Sequence, residues 1–182
     1  MKISTLSALL NEELKDIYDA EKRLVRALPK MAKAASAPSL RSAFEQHLSV
    51  TKKHVERLEH VFELLGVSAK AKPCAGMKGL IEEGEETMQE DAAEQLMDAA
   101  LIGAAQRVEH YEMAAYGTAR AMAERLGNQE AVDLLQETLD EEKEADEKLT
   151  EIATQLLETI DETAVEETVT SRSQKTRTSR AD

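Results

Sequence analysis

The stretch QRVEHYEMAAY, residues 106–116, carries two glutamates where a buried helix face should be apolar. Ile102, Ala105, Glu109, Glu112 and Tyr116 follow one another at steps of three and four, the spacing that stacks side chains along one side of an α-helix. Leu96, Ala100, Leu101, Val108 and Met122 extend the pattern, which predicts a helix from Asp91 to about Leu126, stopped by Gly127 and Asn128. A helix that turns two acids inward needs neighbours that can receive them.

Leu6, Leu10, Leu14, Ile17, Leu24 and Leu28 predict a first long helix over 5–35, capped by Ser4 or Thr5 and bent or divided at Pro29, which has no amide to donate. Leu40, Phe44, Leu48, Val55, Leu58, Phe62 and Leu65 predict a second, opened by Ser36 and Pro38 and closed at Gly66. The following GVSAKAKPCAGMKGLIEEGEE, residues 66–86, holds four glycines and a proline and predicts a long connection with at most a short helix. A last helix is expected from Gln129 to about Ile160. Four long helices, paired by short turns on either side of one long connection, predict an all-α, ferritin-like four-helix bundle with one long crossover connection. The bundle domain is expected over residues 1–162. Residues 163–182 lose the apolar period, turn rich in Ser, Thr and Arg, and read as a disordered tail.

Composition agrees with this reading. Aromatics make up 3% and Trp is absent, which argues against strands and stacking platforms. The net charge of −13 repels phosphate backbones and anionic lipid, so nucleic acid and membrane are not expected as partners. No apolar run reaches the length of a membrane span. The lone Cys74 excludes an intrachain disulfide and points to a reducing cytoplasm, where it is expected to pack as a small hydrophobe, with a redox role as the alternative. Val67, Met77, Leu80 and Ile81 in the connection suggest an apolar patch that a second subunit would cover, and hence a homodimer.

Every long helix carries an acid or an imidazole near its middle. Glu21 interrupts the first apolar stripe, His47, Thr51 and His54 the second, and Glu142 with Asp146 the last, with Glu141 at its margin. Ionised carboxylates in a dry core each cost several kcal/mol unless paired or bound to a cation. Pairing with inward Lys or Arg is one reading, but the neighbours on these stripes are mostly Leu, Ala, Ile and Val. Boundary positions facing solvent are another. A metal cluster is the third: oxygen-rich ligation with one or two imidazoles suits iron or manganese, and the i, i+3 pair Glu109 and Glu112 has the spacing of paired ligands on one helix. The halves also resemble each other. DAEKRL with Glu21 lies 88 positions before RVEHYE with Glu109, and HVERLE with Leu58 lies 91 before ADEKLT with Leu149.

Taken together, EELKDIYDAEKRLVRALPKMAKAA, HLSVTKKHVERLEHVFELLG, CAGMKGLIEEG, QRVEHYEMAAYGTARAMA and LLQETLDEEKEADEKLTEIA resemble the YciF-like family of the ferritin-like superfamily over residues 5 to about 155. The resemblance implies a ferritin-like fold, often dimeric, with a di-metal centre and a link to bacterial stress responses, but no settled reaction. Carried over by position, the metal residues it implies are Glu21, His47, His54, Glu109, Glu112, Glu142 and Asp146. It also implies an acidic residue before the threonine of the HL..T segment, where this chain has Val50. That departure favours a second reading, a structural or interaction protein of the same fold whose metal site has degenerated. Tyr18, Tyr111 and Tyr116 lie near the same level and are candidates to hydrogen bond to the ligands.

Overall fold

A computed structural model describes residues 3–160, so the expected tail over 163–182 lies outside the described residues. Five α-helices are present: α1 Leu6–Ala34, α2 Pro38–Leu64, α3 Ala75–Thr87, α4 Glu94–Arg125 and α5 Gln129–Leu157. Among the described residues there is no strand, and no helix is long and apolar enough to cross a membrane. The described residues are therefore all-α, with five helices.

The helix ends follow local chemistry. Thr5 caps α1 by accepting from the Ala8 amide at 3.1 Å, and Asn128 caps α5 by accepting from the Ala131 amide at 3.1 Å. Gly127 takes φ 77°, a left-handed conformation that costs glycine little, and this lets α4 turn directly into α5. The start of α2 differs from expectation. Its cap is Ala37, which has no side chain to offer, and the buried Asp98 on α4 accepts from the amides of both Ser36 and Ala37 at 2.8 Å instead. Helix α1 is also not divided at Pro29, which sits inside it on the exposed face. There the carbonyl left without its helical donor can be hydrated.

The four long helices pack in a ring, α1 on α2, α2 on α5, α5 on α4 and α4 on α1, and α3 lies against α4 and α1. Their core divides into two apolar clusters. One holds Leu24, Leu28, Phe44, Leu101, Ile102 and Leu149, and the other Leu14, Ile17, Leu58, Phe62, Tyr116 and Leu135. On each long helix a group of buried polar residues, Glu21 on α1, Thr51 and His54 on α2, Glu109 and Glu112 on α4, and Glu142 on α5, falls in sequence between the residues just named from the two clusters, so a buried polar layer lies between two apolar halves.

The residues expected to form a patch for a second subunit are used within the chain. Met77 is fully buried, Leu80 and Ile81 pack partly buried on the first cluster, and Val67 packs on the second. Helix α3 turns its apolar side onto α1 and α4, which covers part of the patch the sequence suggests and leaves Val67, Leu80 and Ile81 partly exposed. Tyr111 anchors this docking: its hydroxyl donates to Asp16 at 2.8 Å and lies 2.9 Å from Cys74 Sγ. Its ring leaves no room on α3, because a Cβ at Gly76 would stand 2.8 Å from Tyr111 Cε2. Since Tyr111 is held at its hydroxyl, Gly76→Ala is expected to destabilise the protein by about 1–3 kcal/mol, as overpacking does. A urea titration checks this, and an unchanged midpoint would show that α3 docks loosely.

Candidate metal centre

The buried layer takes Glu21 from α1, His47 and His54 from α2, Glu109 and Glu112 from α4, and Glu142 from α5. Two groups of ligand-type atoms form within it, His47 with Glu109, Glu112 and Glu142, and Glu21 with His54 and Glu142, and within each group the atoms lie inside 4.8 Å of one another. Glu142 belongs to both. His54 Nδ1 is 3.0 Å from Glu142 and 3.4 Å from Glu21, while His47 Nε2 is 3.5 Å from Glu109 and 3.7 Å from Glu142. Glu142 follows His54 by 88 positions (142 − 54), the offset that also separates Glu109 from Glu21 (109 − 21).

Asp146 does not join them. One turn beyond Glu142, it accepts from Gln106 Nε2 at 3.0 Å and lies 3.4 Å from the exposed His110. Its side chain is partly exposed, because the inward face of α5 has rotated past it by that turn. Of the seven expected residues, six converge and Asp146 stays at the margin.

Neighbouring groups hold the layer in place. His54 Nε2 lies 2.9 Å from Glu141, and Glu141 accepts from Arg57 at 2.7 Å, which turns Nδ1 of the ring inward. Arg57 also donates to Thr138 at 2.6 Å and Glu137 at 2.7 Å. Of the three tyrosines only Tyr116 reaches the layer, donating to Glu21 from full burial, whereas Tyr18 donates to Glu59 and Tyr111 to Asp16. Arg57 is not among the residues expected from sequence. The available signal was a basic residue three positions after a stripe histidine, in HVERLE, but such a residue is usually solvated.

Electrostatics pull the acids apart. Burial, then the charges of Glu142 and Glu21 nearby, push Glu109 well above the usual carboxylate range, and burial with Glu21, Glu142 and Glu109 does the same to Glu112. Burial also raises Glu21. Against its own burial, Glu142 is held below the usual range by His54 and His47. His54, which burial alone would lower, is pushed up to about 10 by its contacts with Glu142 and Glu21. Burial lowers His47.

The test of whether these residues fit a cation lies in the atoms left without partners. Among the described residues, the buried side-chain N and O atoms with no hydrogen bond are Glu21 Oε2, His47 Nε2, His54 Nδ1, Glu109 Oε2, both carboxylate oxygens of Glu112 and of Glu142, and Asn11 Oδ1. His54 Nδ1 is close enough to Glu142 for Coulombic attraction but is not aligned as a hydrogen bond. Native interiors hold few such atoms, and here nearly all point into one space. Four carboxylates and two imidazoles are also a donor set suited to iron or manganese, and four carboxylate charges balance two divalent cations.

Comparison with known proteins places the sequence. The family model described as a domain of unknown function (DUF892) matches residues 5–163. Protein YciF of Escherichia coli (strain K12) is 46% identical over 154 residues, which span 84% of this chain and 93% of that protein. This chain belongs to the YciF-like family. The crystal structure of the E. coli stress protein YciF superposes with a TM-score of 0.84 at 43% identity, covering 87% of this chain and all of that one. YcfI of Rhodopseudomonas palustris, for which a structural role has been suggested, gives 0.80 at 44% identity over 82% of this chain and 95% of its own. A Xanthomonas campestris protein at 23% identity, with a TM-score of 0.67 over 84% of this chain and 94% of its own, shares the fold.

Proposed function

We propose that this YciF-like chain is a ferritin-like four-helix bundle whose crossover carries α3, and that its buried layer holds two iron or manganese ions used against dioxygen or peroxide during stress. The observation that carries this reading is the set of unpartnered atoms on Glu21, His47, His54, Glu109, Glu112 and Glu142. Such ions would supply one-electron chemistry and Lewis acidity. The chain's own residues do the rest. Glu142 stands where it can serve both groups, Tyr116 holds Glu21, and Arg57 through Glu141 fixes the His54 ring. The apolar clusters above and below keep water away, so the ligands' charges act at low dielectric. The stress role draws support from the E. coli relative, and a cytoplasmic setting from the single free cysteine, buried as a thiol.

A structural role is the second reading. Val50, an apolar residue one turn from His47, favours it, as does the suggested role of the R. palustris relative. Anaerobic loading with Fe2+ or Mn2+ tests both. The first reading expects about two ions per chain, as in di-metal carboxylate bundles, falling sharply in Glu109→Ala. It also expects peroxide consumption that depends on the bound ion. Binding without turnover would favour the structural role, and failure of the parent protein to bind either ion would sink the metal reading.

A further inference from the structure

Five of the six converging side chains are closed off from solvent, with Glu21, His54 and Glu142 at 0% exposure, Glu112 at 1% and Glu109 at 3%; His47, at 10%, is the most open. His47 and Glu109 both line a cleft of about 350 Å³ between α2 and α5. Its α2 wall is formed by Ala43, Phe44, Gln46 and Val50, and its α5 wall by Glu141, Glu144, Ala145, Lys148 and Leu149. A water occupies roughly 30 Å³, so the cleft admits a hydrated ion or a small oxidant without any helix moving.

From these observations we propose that this cleft is the port by which divalent cations reach and leave the buried layer, with Val50 and Ala145 setting its width. The inference rests on the cation-holding reading above. The two walls are unlike. Val50, Phe44 and Ala43 make the α2 side mostly apolar, with Gln46 as an uncharged polar residue among them. The α5 side carries carboxylates from the rim inward, beginning with the exposed Glu144, which makes no ion pair among the described residues. Glu141 stands deeper, already engaged by Arg57 and His54. Lys148, the one cation on this wall, is drawn off by Glu151 at 3.1 Å. An acidic rim raises the local cation concentration, and the imidazole at the floor is the first nitrogen an arriving ion meets.

Port width governs rates and leaves equilibrium alone, which separates this role from a ligand's. Uptake of Mn2+ by the full chain can be followed by loss of the free-ion EPR signal, and release by extraction with excess chelator. Val50→Phe on one wall and Ala145→Leu on the other are each expected to slow both uptake and release about tenfold, with Kd unchanged within about threefold, because the barrier alone rises. Val50→Ala is expected to speed both. Glu144→Lys is expected to slow uptake at low ionic strength and to match the parent in high salt. Using both walls guards against one substitution that disturbs folding, and thermal melts identify such a variant.

If Mn2+ binds but its rates do not respond to any of these substitutions, and instead rise in all variants alike with mild urea, ions pass through opening of the helix ring and the port is refuted. If the parent protein binds no Mn2+ at equilibrium, the cation-holding reading falls and the port falls with it. The two failures are thus told apart by the Kd measurement.

Discussion

Saturating Mn2+, or Fe2+ without air, is expected to raise the melting temperature of the protein by about 8–16 °C. A ligand that binds the native state alone, at a free concentration about a thousandfold above Kd, stabilises by about 4 kcal/mol, and in a chain of this length each kcal/mol moves the midpoint by about 2–4 °C. The effect is large because the cation would satisfy at one stroke the unpartnered atoms of Glu21, His47, His54, Glu109, Glu112 and Glu142. The Glu21→Ala, Glu109→Ala double variant removes one carboxylate from each group and should show no shift. A parent melting temperature indifferent to both ions, read by calorimetry, would mean that the buried acids are neutralised by protons and need no metal.

In chelator-treated protein, one substitution should act with opposite sign at two neighbouring ligands. Glu112 has two buried oxygens without partners, and burial with the surrounding carboxylates pushes its protonation far up, so its charge opposes folding. Glu112→Met is therefore expected to stabilise the metal-free protein by about 2 kcal/mol, in the range seen when buried charge is replaced by apolar volume. Glu142 is held low by His54 and His47, so Glu142→Met takes from the buried His54 imidazolium the nearer of the two carboxylates at Nδ1 and should cost about 3 kcal/mol. Both variants should bind Mn2+ poorly. Urea midpoints with chelator present decide the matter. Destabilisation at both sites would show that Glu112 has a polar partner when no cation is bound.

Helix positions were legible because they depend on local spacing and caps. Thr5, Gly66 and the Gly127–Asn128 pair mark ends that the structure keeps, since a left-handed glycine or a side-chain cap acts within one turn. Whether Pro29 divides α1 was not legible for the converse reason: its cost depends on whether the orphaned carbonyl can reach water, and that is set by which face the rest of the protein covers. Six of the seven expected site residues converge because a polar residue on an apolar stripe at mid-helix has nowhere to point except the shared interior. Asp146 departs because a period of 3.6 residues carries a position one turn beyond Glu142 to the edge of the stripe, where it finds Gln106 instead.

What the sequence by itself determined is the set of four long amphipathic helices, their ends, and the level at which acids and imidazoles interrupt the apolar stripes. These follow from side-chain chemistry and helical period, which act over a few residues. Only the tertiary structure decided that Asp98 of α4 caps α2, that Arg57 and Glu141 hold His54, and that α3 covers its own apolar side. It also decided that Val50 lines a cleft leading to His47. Each of these joins residues far apart in the chain, and such contacts are selected by how whole helix faces fit together, a choice that no local pattern encodes.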